Sequence, residues 1–306
     1  MIPLCLGLFF IYLSYENTTE EDRSNIIKYV QDADYRFIII SIIFGILSHI
    51  SRAIRWKYLL YPLGYKPNFI VSFLAVLSGY LSNLGIPRSG EIFRASVMDR
   101  YNNIPFQKGF GTIIAERIVD LILLLVFICF SLFLQFDLIV SHINIEPMRI
   151  VQLVFIILTI FFGLKFFLKS KHNLITKINI FIKEIWEGII SIKKMKKIVP
   201  FIFHTFFIWT MYILMFGVVK YSIPETSNLG LNALIPAFVI GGLSITATNG
   251  GIGIYPYAVS MILISFGISK ESSLAFSWLI WSCQTLMIIA LGGMAFFALP
   301  LIKRQR

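Results

Sequence analysis

Residues 233–267 read ALIPAFVIGGLSITATNGGIGIYPYAVSMILISFG, an apolar stretch of 35 residues broken at its centre by TATNGGIG at 246–253. A hydrocarbon core about 30 Å thick is crossed by roughly 20 apolar residues. This segment is too long for one span, and its middle is poor helix sequence. It reads as two half-helices that enter and leave from the same side. Non-helical backbone at that depth is tolerated only where protein or a water-filled cavity surrounds it.

The rest of the chain has the same character. Of 306 residues, 57% are hydrophobic and 14% charged, with a mean hydropathy of +0.80. Soluble domains are nearer 45–50% apolar and about 25% charged. Further apolar segments fall at about 2–15, 35–51, 69–86, 109–136, 149–168, 198–219 and 272–300. Their continuity favours helices over the alternating strands of a barrel. The expected fold is all-α: one domain over 1–306, a polytopic membrane helix bundle. Residues 1–15 lack a basic start and an A-x-A-like site, so no cleavable signal peptide is expected.

The net charge of +11 is carried between the spans, which favours basic cytoplasmic loops over nucleic-acid binding. Residues 16–34 are acidic, with Glu16, Glu20, Glu21, Asp22, Asp32 and Asp34 against Arg23 and Lys28. Residues 52–68 hold Arg52, Arg55, Lys57 and Lys66 without an acid, and 165–197 hold nine lysines against Glu184 and Glu187. The positive-inside rule places 16–34 outside, and 52–68, 165–197 and the C-terminus in the cytoplasm of a cell with the chain in its inner membrane. Three apolar segments separate the two basic loops, so one of them does not cross. Segment 69–86 is the candidate, because it is short and ends in Ser82-Asn83-Leu84-Gly85-Ile86-Pro87. The same parity makes 233–267 start and end outside. About six spanning helices plus two re-entrant segments are therefore expected, the alternative being eight spans. Paired, interrupted segments are also a sequence pointer to a transporter's binding site.

Between residues 174 and 192, Leu174, Ile178, Phe181, Ile182, Ile185, Ile189 and Ile192 follow helical spacing opposite Lys177, Lys183, Glu184 and Glu187. This is expected to be an amphipathic helix on the inner surface, where its lysines attract anionic lipid.

Charges inside apolar segments are costly and mark candidate sites. Arg88, Glu91 and Arg94 fall at steps of three after the first break, and Glu116 and Asp120 share a helix face with Arg117 on its flank. Arginine's planar fork suits phosphate or carboxylate. The carboxylates would orient the arginines or meet a cationic headgroup. The competing reading is mutual neutralisation that locks helices together. Asn83 lies in the first break. Asn249, Gly250, Gly251 and Gly253 form the second, where glycine lets backbone approach a ligand and successive amides can bind an anion. Cys5, Cys129 and Cys283 read as small buried hydrophobes. The four histidines are scattered, and no HExxH, nucleophile elbow, Walker loop or dinucleotide fingerprint is present, so no metal, cofactor or catalytic residue is assigned.

Taken together, RAIRWKYLL (52–60), GYLSN (79–83), PRSGEIFRA (87–95), ERIVD (116–120) and GGIG (250–253) resemble the lysylphosphatidylglycerol synthase transmembrane-region family, also called flippase-like domain proteins. The resemblance runs in order along nearly the whole chain. It implies a helical membrane domain with re-entrant elements that moves lipids or lipid-linked molecules between leaflets. In multiple peptide resistance factors such a domain is fused to a soluble aminoacyltransferase. No segment up to Arg306 corresponds to that enzyme, so lysyl transfer by this chain alone is not expected. Family members often carry Pro before the glycine tip and Glu after it, whereas this chain has Thr248-Asn249 and Tyr255-Pro256. Headgroup specificity assigned through that Glu does not carry over. The implied partners are anionic or phosphate-bearing lipids. The alternative is an accessory membrane subunit of a lipid- or glycan-modifying transferase, docked through 174–192.

Overall fold

The computed structural model describes residues 2–135 and 195–302. These form helices joined by short turns: α1 (Ile2–Glu16), α2 (Glu20–Gln31), α3 (Tyr35–Leu60), α4 (Phe69–Gly85), α5 (Ser89–Asn102), α6 (Phe106–Leu134), α7 (Ile198–Val218), α8 (Leu231–Ala247), α9 (Ile254–Ser265) and α10 (Lys270–Ala298). Side chains cap the starts. Thr19 and Asp22 form a reciprocal capping box at α2, Asn68 accepts from two amides of α4, and Ser269 caps α10.

Among the described residues, four stretches are long and apolar enough to cross a membrane: Tyr35–Leu63, Phe106–Leu134, Ile198–Ser222 and Lys270–Leu301. Along α6, Leu121, Ile122, Leu125, Val126, Phe130 and Phe133 are exposed. A patch this large is unsuited to water and suits lipid. The chain is an all-α, multi-pass membrane bundle.

The bundle has two ends of opposite character. At the first, the Asn68 amide donates to Asn102 Oδ1 (3.0 Å), so α4 begins level with the end of α5. Met195 and Leu299 pack there with Leu59 and Leu60. Lys57, Lys66, Arg100, Lys108, Lys196 and Lys197 belong to the same segments, making this the basic end. At the other, Asp34 N–H donates to Ser222 O (2.9 Å), Ser269 Oγ to Glu225 Oε2 (2.7 Å) and Gln135 Nε2 to Asn232 O (2.8 Å). Here α8 begins and α9 ends. Helix α2 closes this acidic end through the Lys270–Asp22 pair (2.9 Å). The Thr19 amide and then Lys270 hold the Asp22 carboxyl down at about 2. Hydroxyls of Ser272, Tyr29 and Ser269 likewise keep Glu225 below its usual range.

The two interrupted segments are therefore helical hairpins, α4–α5 from the basic end and α8–α9 from the acidic end. Their tips touch. Asn249 Nδ2 donates to Gly85 O (2.8 Å) and Leu84 O (3.5 Å), and Gly250, at φ 61°, lies against the end of the Leu84 side chain. Helix α1 runs past this level, with Gly7 against Ile252 and Gly253.

Several expectations need correction. Helix α3 does not stop at residue 51 but continues to Leu60, so Arg52 and Arg55 lie inside the bundle, not in a basic loop. The acidic connection 16–34 is largely the docked helix α2. Cys5 and Cys129 are exposed on apolar helices and Cys283 is half-buried, so none is a fully buried packing residue. Of the six expected spans, 35–51, 109–136, 198–219 and 272–300 are the four long helices, and 2–15 is the shorter α1. Segment 149–168 and the amphipathic stretch 174–192 lie outside the described residues.

Helices α4 and α5 approach closely because Gly79 faces Gly90. A methyl group on Gly90 would collide with Gly79 O and come within 2.8 Å of Asn83 Nδ2. Gly90→Ala is expected to lower stability by about 1–3 kcal/mol, the usual cost of overpacking. Gly293→Ala, which meets nothing within 4 Å, should be neutral or stabilising by up to about 1 kcal/mol. Thermal unfolding of both variants in detergent, followed by tryptophan fluorescence, distinguishes them.

Candidate functional site

Helix α6 supplies Glu116 and Asp120 one turn apart on its inward face. Glu116 is completely buried and receives three guanidiniums. Arg52 Nη1 (2.5 Å) and Arg55 Nη2 (3.0 Å) meet its Oε1, and Arg94 Nη2 (3.0 Å) meets its Oε2. Asp120 takes Arg52 Nη1 at 2.9 Å on Oδ2 and Arg55 Nη1 at 2.8 Å on Oδ1. Helix α3 thus presents Arg52 and Arg55 at i, i+3, and α5 presents Arg94. Helix α7 adds Thr205, which accepts from Arg55 Nη1 (3.1 Å), and Tyr212, which accepts from Arg52 Nη2 (3.1 Å). Tyr80 of α4 lies 3.4 Å from the Tyr212 hydroxyl.

Arg94 also lies over the Trp56 ring, 4.3 Å from its centroid, and Trp56 Nε1 donates to Thr112 Oγ1 (2.9 Å). Such a stack restrains the guanidinium plane. At the cluster's edge Arg117 pairs with Glu91 Oε1 (2.9 Å), with the Arg117 side chain 38% exposed. Four guanidiniums and three carboxylates are gathered in all.

The network is incompletely satisfied: Arg52 Nε and Arg55 Nε lack a hydrogen-bond partner, and the side of Arg94 and Glu91 is more open. Arg94 Nη1 and Nε, Arg117 Nε and Glu91 Oε2 are buried without hydrogen-bond partners. Arg94 and Arg117 line a narrow crevice with Val76, Gly79, Tyr80, Asn83 and Gly90, too tight in this structure to admit a water molecule. Unmatched buried polar atoms are costly and call for a ligand, ion or water. Here they converge where α4–α5 leaves its tip.

The structure brings Arg94, Glu116 and Asp120 together and sets Arg117 and Glu91 beside them. Asn83 lines the cleft and accepts from the Gly90 amide (2.8 Å). Arg88 is not with the others. It caps α5 with left-handed backbone (φ 62°) and is exposed, because the helical step of three does not begin until Ser89. Asn249 and Gly250 form the second tip, whereas Gly251 packs against Tyr255 and Gly253 against Gly7. Sequence reasoning missed Arg52, Arg55, Tyr80, Thr205 and Tyr212 as members. The helical spacing of Ala53, Trp56, Leu59 and Leu60, which continues the apolar face past residue 51, was a signal for the first two.

Removing one member of a buried ion network leaves its partners unmatched, at about 3–5 kcal/mol. Glu116→Gln should therefore destabilise strongly. Asp120→Asn, at a side chain 12% exposed with two arginine partners, should cost less, and Arg88→Ala should be neutral. Unfolding midpoints in detergent rank the three.

Among curated proteins, a UPF0104 membrane protein of Methanocaldococcus jannaschii is 34% identical over 108 residues, 34% of this chain and 32% of that protein. The glycosyltransferase AglD of Haloferax volcanii is 31% identical over 122 residues, 39% of this chain but 18% of the enzyme. A UPF0104 membrane protein of Pyrococcus horikoshii is 25% identical over 285 residues, 83% of this chain and 84% of that protein. The first two matches therefore span a third or less of the relatives' own lengths. No solved structure matches. Residues 1–292 match the family described as the lysylphosphatidylglycerol synthase TM region, and the chain belongs to that family.

Proposed function

We propose that the protein is a membrane translocase for lipids or lipid-linked headgroups, which binds an anionic headgroup at Arg94 and Arg117 above the Arg52–Arg55–Glu116–Asp120 base. The observation that carries this reading is Arg94. It is 3% exposed, held by one carboxylate oxygen and one ring, and keeps Nη1 and Nε unmatched. Touching hairpin tips from opposite ends support it, because a path between leaflets needs a closable interruption. The basic end is assigned to the cytoplasm and the chain to the inner membrane by the charge rule. No enzymatic activity is assigned.

A second reading rests on the likeness to AglD, a glycosyltransferase by name. In it the chain is an accessory subunit that positions a lipid- or glycan-modifying transferase, and the charge cluster is structural.

Transfer of headgroup-labelled lipid between leaflets of proteoliposomes separates the two. Folded wild-type protein should accelerate transfer. Arg94→Gln should slow it about ten- to a hundredfold, the loss of one charge-assisted hydrogen-bond pair. Arg88→Ala should leave it unchanged. No transfer of any phospholipid or polyprenyl phosphate by folded wild type would overturn the translocase reading in favour of the accessory subunit.

A further inference from the structure

We infer that helix α1 is a displaceable strap over the tip of the second hairpin, seated there through Gly7 and moored at its far end by Lys270, and that its unseating lets the two tips separate. This rests on the translocase reading above and names the element that regulates the closure.

The seat is a contact of backbone on backbone. The turn at 249–253 is enclosed by Leu84 against Gly250, by Trp281 bonded to Gly250 O, by Tyr255 against Gly251, and by α1. A methyl group on Gly253 would collide with Gly7 O, and one on Gly7 would lie 2.8 Å from Ile252 O. Ile11 also borders Gly253, and the Phe10 ring lies 5.4 Å from that of Tyr257 on α9. While Gly7 is seated, the turn is held on this side and Asn249 stays aimed at Leu84 and Gly85.

Little else holds α1 along its length. Gly7 is its only buried residue among those described, and Leu4, Leu6, Leu8, Phe9, Tyr12 and Tyr15 are exposed. Among the described residues no hydrogen bond or ion pair joins Ile2–Glu16 to any helix beyond α2. Packing between lipid-solvated helices has no hydrophobic driving force behind it, and small residues such as these glycines allow close but reversible approach.

The far end is different. Lys270 Nζ donates to Asn17 O and pairs with Asp22 (2.9 Å). Arg23 bonds Thr19 O (3.1 Å) and Thr18 O (3.2 Å) and lies over the Tyr15 ring, 4.0 Å from its centroid. Helix α2 adds Ile26, Tyr29 and Val30 against the core, with the Tyr29 hydroxyl on Glu225. A helix moored at one end and lightly seated at the other can leave its seat without leaving the molecule.

The test has a structural arm and a functional arm, both in protein whose three cysteines are replaced by alanine. Spin labels at Leu8→Cys on α1 and Met261→Cys on α9, both exposed, report the separation by pulsed dipolar spectroscopy in nanodiscs. The parent should show one dominant distance. Gly7→Ala, which crowds the seat, and Lys270→Met, which removes both ties of the mooring, should each add a longer one, whereas Lys270→Arg should not. Unchanged distances in both Gly7→Ala and Lys270→Met would overturn the strap. In the functional arm, Phe10→Cys and Tyr257→Cys are joined by a short reducible bifunctional thiol reagent in proteoliposomes. Lipid transfer should fall at least about tenfold, as for a locked lid, and recover on reduction. Undiminished transfer by the joined protein would overturn the regulatory role. Absence of transfer before joining would instead remove the translocase reading, and the label distances would then decide the strap alone.

Discussion

The structure depends on how it satisfies backbone where two helices, α4 and α8, stop partway along the bundle. A helix end leaves its last carbonyls without intrahelical partners, and lipid supplies none. At the end of α4, the Ser82 carbonyl accepts from the Ile86 amide and Ser89 Oγ, and the Ile86 carbonyl from Ser89. The Leu84 and Gly85 carbonyls have no such local donor. Asn249, from the opposite hairpin, reaches both. The second tip is closed in turn by Trp281, whose Nε1 donates to Gly250 O at 2.9 Å. The second hairpin thus completes the first and α10 completes the second; Gly250, Gly251 and Gly253 supply the positive φ angles of the turn, and Gly250 the close approach to Leu84. Two hairpins of fixed length entering from opposite ends must meet for this closure to form.

The charge cluster does a related task one layer away. It joins α3, α5, α6 and α7 by directional bonds, where apolar packing alone would permit slippage between lipid-like surfaces. Replacing such a network by apolar residues is often neutral for stability. Stability alone therefore does not explain why the charges are there. Specific register does, and so does a binding role, and the two differ in what they leave unmatched. A purely structural network would be closed. This one leaves a single Nε unmatched on each of Arg52, Arg55 and Arg117, and is most open at Arg94, where Nη1 and Nε are both free, and at Glu91 Oε2.

Much of this was legible in the sequence, for identifiable reasons. The hairpins followed from the parity of basic and acidic connections plus the breaks at 82–87 and 246–253. That signal is strong because a wrong crossing count inverts every later segment. Glu116, Asp120 and Arg94 were legible because a charge in an apolar run has few innocent explanations. Arg52 and Arg55 were hidden by the same rule that solved the topology, since positive charge beside a span reads as loop. What separates the cases is the apolar helical face continuing through Trp56 and Leu59. Arg88 failed for a local reason. The left-handed cap at that residue takes it off the face that steps of three would have given it, and no composition signal reports a φ of 62°. The meeting of the tips was beyond sequence reasoning, because it pairs Asn249 with Gly85 across 164 residues.

The ties that hold the cluster are unequal, and the inequality falls on one element. Arg55 bonds Glu116, both oxygens of Asp120 and Thr205, so α3 is fixed to α6 and α7 by several bonds at once. Arg94 holds α5 to α6 through one oxygen of Glu116, and Glu91 adds one half-exposed contact to Arg117. Helix α5 is also the returning arm of the first hairpin, whose tip meets Asn249. Helix α5 therefore carries the incompletely matched arginine, while its partner arm α4 makes the contact between the tips. An anion that takes up the free Nη1 and Nε of Arg94 competes with Glu116 for the same guanidinium, and any shift of α5 that follows is delivered directly to Leu84 and Gly85. On the proposed reading, headgroup binding and tip contact would be coupled through the α4–α5 hairpin, without a longer pathway between them.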